Sequence, residues 1–349
     1  MALRWSYSAQ RTLERCPRQL AFGQVVASHN ARDPVRREAY LLRQLHSIRS
    51  WQGSLAHTIL ATEGLADLQA GRPLAPLAPL ALSFAAQDLA RRQFAFSAAH
   101  RYRDPGQSKA AAGDAYCALI EHERGEDLGP ETLAAVDAAL LRCFTNLAGQ
   151  TGFLALLRDG RGYATETALT LRWGKATVVC AFDLTLLRPD AGLTIVDWKV
   201  SQHEDSGYEA QLLLYAYMAV RSGRWPGLTA DMIDLYEVNL LRDRIHRHRF
   251  DGARFGEVED RVRSGVDEVR AVLGDGSYAR LRLDQLAIAP HEQTCAACPF
   301  APLCADSLTD EGRPDEALIV RRRYTASPDD PHATDADGAD NDTLVADGG

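Results

Sequence analysis

An aspartate and one of the chain's three lysines stand two positions apart in the apolar stretch GLTIVDWKV, residues 192–200. Alternate side chains of a β-strand share a face, so Asp197 and Lys199 are predicted to project into one cleft. Asp183 interrupts the preceding apolar stretch, and a hairpin would bring it beside Asp197. Two adjacent carboxylates repel each other unless a cation lies between them, and oxygen ligands suit Mg²⁺ or Mn²⁺. A nearby lysine can orient a water molecule, so the three residues could hydrolyse a phosphodiester bond.

A simpler interpretation of the same residues is a pair of solvated strand-end acids with a surface ion pair to Lys199. His57, in GSLAHTIL, lies among apolar residues and by itself is typical of a core histidine. Gln211 and Tyr215, in QLLLYAY, are four positions apart and therefore share a helical face. By themselves they could equally be a polar edge packed on the sheet.

The cysteines suggest a second site. Cys295, Cys298 and Cys304 follow a C-x2-C-x5-C spacing, and Cys16 is the candidate fourth ligand although it lies near the other end of the chain. An all-thiolate site fits either an iron–sulfur cluster or zinc. The remaining three cysteines are predicted to be buried core residues: Cys117, Cys143 and Cys180.

The elements that position these residues follow from the hydrophobic period. Helical spacing dominates up to about residue 160, beginning with a helix over 7–20 capped by Ser8, and interrupted by the connection PLAPLAPLA at 73–81. Strands are predicted over 163–173, 176–187 and 193–200, a helix over 205–223, strands over 231–241 and 244–250, and a long helix over 256–274. This order predicts an α/β fold with a mixed sheet flanked by helices.

Taken together, these motifs resemble the PD-(D/E)XK nuclease superfamily, and its RecB-type branch in particular. That branch has a histidine in an early helix, four residues after a glycine, matched here by Gly53 and His57. It also has a glutamine and a tyrosine four apart in the helix after the Asp-x-Lys strand, as Gln211 and Tyr215 are. One departure is Cys180, which stands where the family usually has glycine three residues before its first aspartate.

The resemblance implies a restriction-endonuclease-like fold with a helical N-terminal region, and it implies roles for single residues. His57, Asp183 and Asp197 would hold Mg²⁺ or Mn²⁺, and Lys199 would assist the attacking water. Gln211 and Tyr215 would position the nucleic acid strand or the active-site groups.

The cysteine pattern, with the N-terminal SYSAQRTLERCPRQLAF, is similar to AddB nuclease domains and the CRISPR-associated RecB-like exonucleases. The resemblance implies a [4Fe-4S] cluster held by Cys16, Cys295, Cys298 and Cys304. Its expected role is structural, in a cysteine-cluster subdomain that joins both chain ends.

The function implied is a metal-dependent DNA nuclease, a single-strand exonuclease or end-processing enzyme, in DNA repair, recombination or phage defence. Arg18 and the segment RIHRHRF are expected to contact phosphates. No G-x-x-x-x-G-K-[ST] motif occurs, so duplex DNA would require a helicase or defence-complex partner. The alternative is a catalytically idle nucleic-acid-binding or scaffold module of a helicase–nuclease complex.

Composition sets the domain boundaries. The chain of 349 residues has a formal net charge of -8, but seven of its 47 acidic residues follow Tyr324, so the preceding part is nearly neutral. We predict one nuclease domain over 1–324, with a helical region at about 1–160, the catalytic sheet at about 161–250, and the last helix with the cysteines at about 251–308. Residues 325–349 are predicted to be a disordered acidic tail. No membrane span or signal peptide is predicted, and a cytoplasmic location is expected.

Overall fold

A computed structural model describes residues 3–202, 208–304 and 308–317. Within them no helix combines the length and hydropathy needed to cross a membrane. The predicted acidic tail, 325–349, lies outside the described residues. The helices are α1 Tyr7–Arg15, α2 Pro17–Ala21, α3 Pro34–Arg43, α4 Ile48–Ile59, α5 Ala66–Gln69, α6 Pro79–Ala98, α7 Lys109–Ala112, α8 Ile120–Glu123, α9 Pro130–Gly149, α10 Thr151–Asp159, α11 Glu209–Ser222, α12 Gly252–Leu273 and α13 Glu292–Ala296.

Six strands form one mixed sheet, which confirms the predicted α/β class. In chain order they are β1 Leu3–Trp5, β2 Arg161–Trp173, β3 Ala176–Leu187, β4 Leu193–Lys199, β5 Ile233–Asn239 and β6 Arg244–Arg249. The hairpin partner β2 runs antiparallel along β3. The other edge of β3 pairs with two strands. The first residues of β3 pair in parallel with β1, and the last residues of β3 pair antiparallel with β4. Then β5 pairs in parallel with β4, and β6 antiparallel with β5.

The sheet is the middle layer between two helical layers, because alternate residues of its strands enter different cores. On β4, Ile195 belongs to a core shared with residues of α1, α2, α3, α11 and α12. Its neighbour Val196 belongs to a second core shared with α4, α6, α9 and α10. The site-bearing strands are therefore held rigidly from both faces.

The N-terminal region differs from the prediction in two places. Strand β1 was not predicted, because three residues are too few to show a period of two. The first helix is capped by Ser6 and not by Ser8: the Ser6 side chain accepts a hydrogen bond from the backbone N–H of Ala9 at 3.1 Å. This helix ends at Arg15, and a second begins at Pro17, so Cys16 lies between two helices.

Candidate active site

Four carboxylates lie in register across four adjacent strands. The β2–β3 ladder registers Thr165 with Leu184 and Thr167 with Phe182. Glu166 and Asp183 lie between these two pairs and therefore opposite each other. The β3–β4 ladder ends one position before Asp183 and Asp197, which would form its next pair. Asp197 is registered with Glu237 on β5. Because registered neighbours share a face, we call these four acids the carboxylate row.

Asp183 and His57 meet at the peptide groups of Trp198, the middle residue of the Asp-x-Lys motif. The Nδ1 atom of His57 lies 3.6 Å from Oδ1 of Asp183, and its Nε2 atom lies 3.0 Å from the carbonyl oxygen of Trp198. The backbone N–H of Trp198 donates to Oδ2 of Asp183 at 2.7 Å. A residue of helix α4 is thereby joined to two strands of the sheet.

Glu166 completes a group that sequence reasoning missed. Among the described residues, ligand atoms of His57, Glu166 and Asp183 lie within 4.8 Å of one another, close enough to share a metal ion. Glu166 has a φ of 47°, in the left-handed region that few non-glycine residues adopt. Such a backbone is found at functional sites, where surrounding structure maintains it. A usable signal did exist: counting across the β2–β3 turn places Glu166 opposite Asp183.

Lys199 is held by contacts on several sides. Its Nζ atom lies 2.5 Å from Oδ2 of Asp197 and donates to Oε1 of Gln211 at 3.0 Å. The ammonium group also lies 4.3 Å from the centre of the Tyr208 ring, a cation–π distance. In turn, Nε2 of Gln211 donates to the Tyr215 hydroxyl at 2.6 Å. Asp197 and Lys199 share one face, as predicted, and the helix fixes the position of the ammonium group.

Burial and mutual repulsion perturb the titratable groups. Asp183 has a pKa well above its ordinary value, first because it is buried and then because of the Asp197 charge. Burial also raises the pKa of Asp197, and the Lys199 charge opposes that shift. The pKa of His57 falls to about 4 because of burial and the nearby Lys199 charge. His57 is therefore a neutral imidazole at pH 7, the form that binds metals.

The last acid of the row has a partner of its own. Glu237 is 6% exposed, and its Oε2 atom lies 3.1 Å from Nε2 of His248 on β6. The Glu237 charge also raises the pKa of the neighbouring Asp197. The row thus ends in a hydrogen-bonded pair at the edge strand.

The four predicted cysteine ligands come from both chain ends to one place. The pKa of Cys298 is raised to about 11, mainly by burial, and the nearby Cys16, Cys304 and Cys295 contribute to that shift. The rings of Phe22 and Phe300 stack at 5.3 Å and join the same two chain segments. The other three cysteines are buried, as predicted.

Arg18 belongs to this cysteine region and not to a phosphate site. It is 9% exposed, its Nη2 atom donates to the Leu286 carbonyl at 2.9 Å, and its Nη1 atom lies 3.8 Å from Sγ of Cys304. The expectation that Arg18 contacts phosphates is therefore wrong, because its guanidinium is already bound inside the protein.

Comparison with known proteins identifies the family. A model of the PD-(D/E)XK nuclease superfamily matches residues 4–305, and the chain belongs to this superfamily. It is thus a nuclease by class, a hydrolase acting on nucleic acid, with a restriction-endonuclease-like fold, from a family that generally uses divalent metal ions. No curated protein gives a significant match.

Two solved structures are similar to parts of the chain. The crystal structure of SSO0001 is 16% identical, covers 54% of this chain and 80% of its own, and has a TM-score of 0.27. A candidate exonuclease from Eubacterium rectale is 12% identical, covers 71% of this chain and 87% of its own, and has a TM-score of 0.30.

Proposed function

We propose that the protein is a metal-dependent deoxyribonuclease of the RecB-type branch that hydrolyses single-stranded DNA from its ends. The observation that carries this proposal is the meeting of a three-ligand group, His57, Glu166 and Asp183, with the Asp197–Lys199 ion pair. The first group has the chemistry of a metal site. The second places a cationic hydrogen-bond donor beside it.

The donor set fits a hard divalent cation. Carboxylate oxygens with one neutral imidazole suit Mg²⁺ or Mn²⁺. The pKa of Asp183 is raised because burial and the Asp197 charge disfavour its ionised form, which a bound cation would stabilise. His57, Glu166 and Asp183 would hold the ion, with Asp197 as a further ligand next to them. When bound, the ion supplies Lewis-acid stabilisation of the charge that develops on the phosphate.

The remaining groups orient the reaction. Lys199 donates hydrogen bonds from a position fixed by Asp197 and Gln211, so its ammonium group can hold a water molecule in line with the phosphorus. Tyr215 fixes Gln211 and thereby supports Lys199. Because Lys199 carries charge into the site, it also stabilises negative charge on the phosphate oxygens.

The test of this function is the Lys199→Ala variant, with Lys175→Ala as the matched control on the exposed β2–β3 turn. With labelled single-stranded DNA and Mn²⁺, the first variant should lose about 10²- to 10⁴-fold in cleavage rate. The control should cleave like the wild type, and both should bind DNA. Thermal unfolding checks the fold, and Lys199→Met, which keeps the apolar stem, is the second variant.

Cleavage by Lys199→Ala at the wild-type rate would overturn the assignment of Lys199. No cleavage by the wild type, on single strands, duplexes or RNA with either metal, would instead support the alternative of an idle binding module. The sequence contains no G-x-x-x-x-G-K-[ST] motif for binding the phosphates of a nucleotide. We therefore propose that a helicase partner, in a repair or defence complex, supplies single strands from duplex DNA.

We further propose that Cys16, Cys295, Cys298 and Cys304 hold a [4Fe-4S] cluster. The supporting observation is that Cys16, Cys295 and Cys304 lie near enough to Cys298 to raise its pKa. Soft thiolates suit such a cluster, and a link between distant segments would stabilise the fold. Cys16→Ala should lose bound iron and visible absorbance and unfold at a lower temperature, whereas the core variant Cys143→Ala should keep the iron. Stoichiometric zinc without iron in anaerobically purified protein would contradict the cluster and show that these cysteines hold zinc.

A further inference from the structure

A cavity of about 960 Å³ lies apart from the carboxylate row, between α3, the segment 100–109 and α8. None of the proposed metal ligands or Lys199 lines it. We call it the α3–α8 cavity. Its size is in the range of sites that hold nucleotide-sized groups.

The floor of the cavity is a closed ion-pair network. Arg103 donates to both carboxylate oxygens of Glu38, at 3.1 and 2.9 Å, and its Nε atom donates to Glu123 at 2.9 Å. The buried Tyr102 hydroxyl donates to Glu123 at 2.8 Å. We call this group the arginine clamp. Arg103 brings one positive charge against two carboxylates, so the floor is anionic, and the further cations and Asp104 at the rim leave the lining with a small positive formal charge.

The rim is cationic. The lining residues include four cationic side chains, Arg37, Arg103, Lys109 and Arg124, against three carboxylates. Arg37 and Lys109 are exposed, and neither forms an ion pair within the part of the chain that the structure describes. Side chains of this kind, at the mouth of a cavity, suit phosphate groups.

Two half-buried tyrosines form part of the walls. Tyr116 lies under the ammonium group of Lys109, which is 5.6 Å from its ring centre. Tyr40 makes an edge contact with His29, their ring centres being 5.0 Å apart. Rings beside phosphate-binding cations are the combination by which proteins hold single strands, because every base has a face that can stack.

Helix α8, whose His122 and Glu123 line the cavity, contacts the first residue of α4, the helix that carries His57. The Oε1 atom of Glu121, on α8, accepts a hydrogen bond from the backbone N–H of Ile48, the first residue of α4, at 3.1 Å. His57 follows on the same helix, about 14 Å further along at 1.5 Å per residue. The end of α4 that contacts α8 is therefore only a few nucleotides' length from His57.

We propose that the α3–α8 cavity binds a segment of the single-stranded DNA substrate away from the cleaved bond, with phosphates at Arg37 and Lys109 and a base against Tyr116. This inference rests on the proposed function and extends it with a second contact region. The cavity therefore contributes to affinity and not to the chemical step.

The experiment measures binding of a fluorescent oligo-dT to the intact protein in EDTA, which prevents cleavage. The double variant Arg37→Ala, Lys109→Ala should bind roughly tenfold more weakly, and the slope of log Kd against log salt should fall by about 1.4, at ~0.7 per phosphate contact. The control double variant, Arg172→Ala with Lys175→Ala, changes two exposed cations outside the cavity and should bind like the wild type.

Tyr116→Leu separates stacking from charge. It should weaken binding about tenfold with the salt slope unchanged, because a base contact releases no counterions. Wild-type affinity and salt slope in the Arg37, Lys109 double variant, in folded protein, would overturn the cavity proposal while leaving the nuclease proposal intact. If instead the wild type neither binds single-stranded DNA nor cleaves it with Mn²⁺, the proposed function itself fails.

Discussion

The carboxylate row and the arginine clamp are both clusters of acids, buried or half-buried except for Glu166, but their charges are balanced differently. In the clamp, one guanidinium bonds to both acids, and Glu38 and Glu123 have side chains only 6% and 8% exposed. In the row, four acids face one lysine and two histidines, and the pKa of Asp183 is raised well above its ordinary value. A cluster satisfied by the protein holds structure together, whereas a cluster left with excess charge is suited to an external cation.

Removal of the clamp's only cation should give the largest effect on stability. Arg103→Met removes the guanidinium that bonds to both buried carboxylates, so the free energy of unfolding should fall by about 3 kcal/mol. Urea denaturation measures the change. Combining Arg103→Met with Glu38→Gln and Glu123→Gln should restore part of the loss, because the uncompensated charges are gone. No recovery would show that the clamp acts through packing alone.

Metal binding should distinguish the two clusters, because only a variant of the carboxylate row should lose the stability gained from Mn²⁺. With Mn²⁺ at about 100 times its Kd, the wild type should gain about 2.7 kcal/mol of stability. Asp183→Asn should lose most of that gain, and the clamp variant Glu38→Gln should keep it. Thermal unfolding with and without Mn²⁺ gives the comparison, and isothermal calorimetry gives the Kd. Equal metal stabilisation of wild type and Asp183→Asn would contradict the ligand assignment.

Without metal, Asp183→Asn should make the protein more stable, by about 1 kcal/mol, because it removes an uncompensated buried charge. The folded-state pKa of Asp183 is raised above its ordinary 3.8, so its contribution to stability is present at low pH and is lost as the pH rises through the folded pKa. In EDTA, the stability advantage of Asp183→Asn should therefore grow with pH. A pH-independent difference between the two proteins would argue against a charged Asp183.

The smallest predicted effect is on the clamp's outer hydrogen bond. Tyr102→Phe removes the hydroxyl that donates to Glu123 but keeps the buried ring, so stability should fall by about 0.5–1 kcal/mol. Cleavage should not change. A loss of several kcal/mol would mean that Arg103 alone does not satisfy Glu123.

The sequence predicted the strands from β2 to β6 closely, because apolar and β-branched runs bounded by turn residues mark them, and the period of two along a strand places Asp197 and Lys199 on one face. It did not point to Glu166, because this acid stands out only when the β2–β3 hairpin register is counted and places it opposite Asp183. The clamp was also missed, because Glu38, Arg103 and Glu123 come from three separate segments. Local periodicity carries no information on such pairings.

The short strand β1 has a consequence for how the chain folds. Leu3 pairs with Ala176, so β1 can join the sheet only after the middle of the chain has been synthesised. At about 5–20 residues per second, synthesis delivers that partner roughly 10–30 s later. Until then the N-terminal segment has an unpaired strand edge, and contacts this distant in sequence slow folding. We expect the N-terminal region to be among the last parts of the protein to reach its native position.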